Sequence, residues 1–128
     1  MADVNRGNRP LSPHLQVYRL PLTARMSIFH RFTGLGLGAA GVLVVWWFLA
    51  AASSPGYFGL VDGLLTSWIG TLVMLVSLGA FWYHFFNGIR HLVWDTGAGF
   101  EVAGLRNMGL TVLAAAAVMT VITLLVAI

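Results

Sequence analysis

Three runs free of Asp, Glu, Lys and Arg, Phe32–Ala52, Ile69–Ile89 and Met108–Ile128, divide this 128-residue chain, each 21 residues long. A helix needs about 20 apolar residues to cross a ~30 Å hydrocarbon core, and an unpaired backbone cannot lie in lipid. The runs therefore predict an all-α integral membrane protein with transmembrane helices over about 23–52, 67–95 and 105–128. Composition agrees: 59% of residues are hydrophobic, 9% are charged, and the mean hydropathy is +0.85. A signal peptide is a poor reading of the first run, which is too long, too aromatic at Trp46, Trp47 and Phe48, and preceded by 31 residues.

The seven basic residues are all arginines. Arg6, Arg9, Arg19, Arg25 and Arg31 precede or open the first span, Arg90 and Arg106 flank the second connection, and the first connection has none. The positive-inside rule then puts the N-terminus in the cytoplasm and the C-terminus outside, in the periplasm of a bacterium. No amphipathic transit peptide precedes the spans, which points to a bacterial cytoplasmic (inner) membrane. The basic balance reflects topology, and no nucleic-acid module is visible. With no cysteine, the chain itself holds no disulfide, iron–sulfur cluster or catalytic thiol.

The N-terminal segment, about 1–22, carries Ser12 before Pro13, a start signal for a short surface helix over Pro13–Tyr18 that Pro21 ends. Thr23 is the expected cap of the first membrane helix. Ser53–Ser67, rich in Pro, Gly and Ser, is expected to be an outward-facing turn without chemistry.

Polar residues enter the membrane at two places. On the first helix Ser27, His30, Arg31 and Gly34 follow i, i+3, i+4, i+7 spacing and share one face. They suit either snorkelling to headgroups or a site at the cytoplasmic edge. Gly34, Gly38 and Gly41 continue at helical spacing, as a helix-packing surface or a close approach to a flat cofactor. On the second helix His84 lies about 9 Å deeper than Arg90 at 1.5 Å per residue. Gly88, His91 and Asp95 fall within about 40° of His84 on its helical wheel, while Tyr83, Asn87, Arg90 and Trp94 form a neighbouring stripe. A neutral imidazole at that depth suits an interhelical hydrogen bond, proton transfer or haem ligation. Zinc is a poor reading, since the chain offers no cysteine and no compact carboxylate–histidine cluster.

The topology brings Ser27, His30 and Arg31 level with Arg90, His91 and Asp95. Guanidinium groups there could pair with haem propionates, and a hydroxyl with Arg and Asp could serve a quinone carbonyl. One histidine at haem depth and only three helices imply a partner, either another membrane subunit or a second copy of the chain.

The segments "RPLSPHLQVY" (Arg9–Tyr18), "SIFHRFTG" (Ser27–Gly34) and "HFFNGIRHLVWD" (His84–Asp95) resemble, in order and spacing, the cytochrome b membrane-anchor family of succinate dehydrogenase, respiratory complex II. The third helix carries no motif. The resemblance implies three helices in a heteromeric bundle, with His84 as one axial ligand of haem b and a second small anchor subunit supplying the other. It further implies that Ser27 and Arg31 belong to a ubiquinone pocket shared with that anchor and an iron–sulfur subunit. His30, Arg31 and His91 would lie near the haem propionates or the quinone, and Asp95 would relay protons or hold structure. His14 would help dock the soluble subunits. The implied assembly passes electrons from succinate through a flavoprotein and iron–sulfur clusters to ubiquinone. Two other readings share the architecture: a quinol:fumarate reductase anchor, and a haem-free structural anchor.

Overall fold

The structure, a computed structural model, describes residues 18–127, with the backbone alone at 102 and 103. The surface helix expected over Pro13–Tyr18 lies, but for Tyr18, outside the described residues, as does His14. Four helices follow in order: α1 (Leu22–Ser53), α2 (Pro55–Leu65), α3 (Trp68–Asp95) and α4 (Val102–Ala127). No strand occurs among the described residues.

α1 contains 32 residues, about 48 Å at 1.5 Å per residue, so it projects beyond a ~30 Å core or tilts within it. Thr23 is not its cap. Extended Pro21 precedes the helix and offers its carbonyl to the Arg25 amide at 3.2 Å, which leaves Thr23 inside the first turn. The Arg25 side chain folds back, its Nε donating to the Leu20 carbonyl at 2.9 Å.

The segment expected to be a plain turn is mostly helix. Ser54 breaks α1 with extended backbone, and its hydroxyl then accepts the Tyr57 amide at 3.3 Å with Pro55 at the first helical position. Ser and Pro thus start a helix here instead of a reverse turn. α2 folds back on α1 through two indoles: Trp46 donates to the Tyr57 hydroxyl at 2.7 Å and Trp47 to Asp62 Oδ1 at 2.9 Å. Val61 is fully buried beneath this contact.

Ser67 begins α3 by accepting the Gly70 amide at 3.2 Å. Gly70 is required by space: a Cβ there would overlap the Leu65 carbonyl oxygen and stand 2.5 Å from that of Leu64. Gly70→Ala is expected to lower stability by about 1–3 kcal/mol, the usual cost of overpacking. A thermal melt in detergent checks this against Gly63→Ala, whose added methyl meets open space and should leave the midpoint unchanged or higher. After α3, Gly97 and Gly99 take left-handed conformations, φ 83° and 80°, and turn the chain into α4.

α3 is central, packed on α1 at one side and α4 at the other. Tyr83 donates to the Met26 carbonyl at 2.7 Å, tying α3 to α1, and Trp82 donates to Thr123 Oγ1 at 2.9 Å, tying α3 to α4. α1 and α4 meet where Gly109 admits the Met26 thioether, 2.9 Å from the place of a Cβ. The buried apolar set is small, namely Met26, Ala40, Ala50, Val61, Val112 and Ala116, while Phe32, Leu35, Val45, Trp68, Leu125 and Val126 face outward. Among the described residues three helices are long and apolar enough to cross a membrane. With large apolar side chains turned outward on all three, the chain is a multi-pass membrane protein. Of the glycine stripe, Gly34 meets a neighbouring helix, whereas Gly38 and Gly41 face open space.

Candidate functional site

Three of the four histidines converge where α1 and α3 cross. The His30 and His84 rings stack with centroids 3.9 Å apart and planes 12° from parallel. His91, two turns along α3, tilts toward His30 at 5.1 Å. Gly34 permits this approach, since a Cβ there would stand 3.0 Å from His84 Cε1. Gly88 faces the His30 ring, whose Cε1 lies 3.9 Å from where its Cβ would be.

The surroundings of His84 define its tautomer. Its Nδ1 lies 3.1 Å from the His30 carbonyl oxygen and 3.1 Å from Thr33 Oγ1. The Thr33 hydroxyl already donates to the same carbonyl at 2.9 Å. A carbonyl only accepts, so Nδ1 carries the proton and Nε2 keeps its lone pair. His84 Nε2 makes no hydrogen bond among the described residues. A metal-binding imidazole is oriented in this way, one nitrogen fixed by a backbone carbonyl and the other free to donate. The donor chemistry therefore fits an axial ligand to iron. No group of three or more His, Cys, Asp or Glu side chains forms a metal cluster among the described residues, so His84 would act as a single ligand from this chain.

The other expected site residues are less engaged. Ser27 is half-buried one turn before His30, while Arg31 and Asp95 are exposed. Among the described residues none of these three side chains makes a hydrogen bond or ion pair. Arg31 and Ser27 thus border the histidine cluster on α1 without touching it through polar contacts, and Asp95 ends α3.

A second cluster stands on the neighbouring stripe of α3. Arg90, read from sequence as level with Ser27–Arg31, is only 3% exposed, and Asn87 is wholly buried. Arg90 Nη1 donates to Asn87 Oδ1 at 3.0 Å and contacts Met26 Sδ at 3.4 Å, while its Cζ lies 4.2 Å above the Trp94 ring. Arg90 Nε and Nη2, Asn87 Nδ2 and Trp94 Nε1 are buried donors without an acceptor among the described residues. Each unmade hydrogen bond of this kind costs about 1–3 kcal/mol, more for a charged group. Thr33 and the buried state of Arg90 were missed from sequence. For Thr33 the signal is its place three residues after His30, on the side of α1 that meets α3.

Comparison with known proteins bears on this arrangement. The family described as the succinate dehydrogenase/fumarate reductase transmembrane subunit matches residues 5–123. The chain belongs to that family. It is 50% identical over 126 residues to the succinate dehydrogenase cytochrome b556 subunit of Paracoccus denitrificans, covering 98% of this chain and 97% of that one. It is 33% identical over 114 residues to the cytochrome b556 subunit of Rickettsia bellii, covering 89% of each. The mitochondrial cytochrome b560 subunit of Sus scrofa is 42% identical over 113 residues, covering 83% of this chain and 64% of the relative. Family members are membrane-anchor subunits, so the histidine cluster and the buried arginine belong to one subunit of a respiratory complex.

Proposed function

We propose that this chain anchors a succinate:ubiquinone oxidoreductase in a bacterial cytoplasmic membrane, holds one side of a haem b and forms part of the quinone-reducing site. The observation that carries the reading is the His84 environment: Nδ1 bound to the His30 carbonyl and Thr33, Nε2 left to bind. The cytochrome names of the relatives agree with a haem-binding chain. When bound, the haem supplies a site for single electrons beside the quinone. His84 would be its ligand from this chain, and a second small membrane subunit would give the opposite one.

Ser27 and Arg31, bordering the histidine cluster, are suited to orient a quinone carbonyl and to polarise it as negative charge develops. Exposed Arg31 can reach a ligand held between this chain and its partners. His30 and His91, within 5.1 Å of each other, would face the propionates or the quinone, and Asp95 at the end of α3 would pass protons or hold the helix end. The bias of the arginines supports an N-terminus on the cytoplasmic side, where a flavoprotein and an iron–sulfur subunit would deliver electrons from succinate.

Purification of the detergent-solubilised complex tests the reading. A flavoprotein, an iron–sulfur protein and a second small membrane chain should co-purify with b-type absorption bands. A purified chain without those bands would leave a structural anchor. The family description spans both reaction directions, and comparing succinate oxidation with fumarate reduction in the same preparation separates them.

A further inference from the structure

Between α3 and α4 lies a cavity of about 440 Å³, open to the outside and lined by Phe86, Ile89, Arg90, Val93, Val112 and Ala115 among others. Its walls are apolar except for Arg90, Asn107 and Thr111. Arg90 is 97% buried, being 3% exposed, and has no carboxylate partner among the described residues. Its Nε and Nη2 only donate and have no acceptor among the described residues; Asn87 Nδ2 and Trp94 Nε1 beside it are unpaired too but do not line the cavity. A neutral carbonyl would accept from one or two of them and leave the guanidinium charge uncompensated. An anionic oxygen group satisfies donors and charge together, and the planar fork of arginine matches phosphate. An apolar cavity running away from that charge calls for an anion that carries a hydrocarbon chain.

We propose that the α3–α4 cavity binds an anionic phospholipid, with its phosphate at Arg90 and one acyl chain against Phe86, Ile89, Val112 and Ala115. Met108 also lines the cavity, and its thioether stands beside Trp94, both within contact range of the position a Gly99 Cβ would take. Its three rotatable bonds let the headgroup displace it. Arg90 is six residues from His84, about 120° around α3. The lipid therefore occupies a different face from the histidine cluster.

Native mass spectrometry of the whole purified complex, stripped of lipid in detergent, tests the site with dioleoylphosphatidylglycerol and with dioleoylglycerol, which lacks the phosphate. The unmodified complex should retain the phosphatidylglycerol at least about tenfold more tightly than the diacylglycerol, as charge-assisted hydrogen bonds imply. Arg90→Gln should remove that preference. Ala115→Phe should fill the chain-binding part and weaken phosphatidylglycerol binding while subunit composition stays the same. Equal retention of both lipids by the unmodified complex would overturn the proposal. So would unchanged phosphatidylglycerol binding in Ala115→Phe, which decides the matter even where Arg90→Gln does not assemble. Loss of a partner subunit in Arg90→Gln with lipid binding intact in Ala115→Phe would assign the counter-charge to a protein carboxylate. Displacement of the lipid by inorganic phosphate alone would assign the site to the free ion.

Discussion

Arg31→Leu should abolish most quinone reduction by the assembled complex while leaving succinate oxidation with a water-soluble electron acceptor intact. The two activities separate because the soluble acceptor takes electrons before they reach the membrane, whereas ubiquinone must be held and polarised there. Arg31 is exposed on α1 one residue beyond His30, so leucine removes its charge without opening a cavity. Loss of a donor aimed at developing negative charge costs about 10²–10³-fold in turnover. A fall of about 10²-fold in quinone reductase rate is therefore expected, with Ser27→Ala giving a smaller fall because a neutral hydroxyl is the weaker donor. Parallel assays on one preparation check this. Equal loss of both activities would mean that Arg31 serves assembly instead.

The second large effect is expected at His84. Substituting a residue that only orients a metal ligand commonly costs 10–100-fold in affinity, so deleting the ligand itself should cost at least about tenfold in haem content. His84→Leu should therefore lose the b-type bands of the reduced complex or shift them to a different spin state. Leucine also vacates the stack on His30 at 3.9 Å, so His84→Phe serves as a second variant that keeps a ring there. Both should lose the native spectrum. A native spectrum in both would remove His84 from the ligand role and leave its Nδ1 hydrogen bonds as a helix-packing feature.

Much of this was legible because membrane insertion imposes simple rules on sequence. Three apolar runs of 21 residues leave little freedom in where the long helices lie. Topology put His30 level with His91, since antiparallel spans bring the start of the first level with the end of the second, and the two rings lie 5.1 Å apart. The contact of His30 with His84, which that alignment left about one to two turns deeper, did not follow. The stacking of those rings depends on how α1 and α3 are rotated about their axes, and that is decided by small contacts such as Gly34 on His84. α2 was read as a turn because Ser, Pro and Gly serve both to reverse a chain and to start a helix. The indole contacts from Trp46 and Trp47 hold that segment against α1, and nothing local announces them. The burial of Arg90 was not legible for a different reason. Charge bias explains an arginine near a cytoplasmic edge equally well whether its side chain faces water or the gap between helices. The contacts with Asn87, Met26 and Trp94 place it in the gap.

The bond between His84 and the His30 carbonyl, at 3.1 Å, has a consequence for how the site tolerates change. That acceptor is main chain, so no exchange of the His30 side chain deletes it. His30→Ala would unstack the ring yet keep the atom that aims His84. The hydroxyl of Thr33 provides redundancy of the same sort. An alanine scan across α1 would thus under-report what that helix contributes, whereas a one-residue insertion between Leu22 and His30 would leave the transmembrane part of α1 to choose between its contact with α3 and its continuity with the N-terminal segment. The aim of the imidazole is inherited from the register of two helices, a property of the fold that mutation of single side chains scarcely samples.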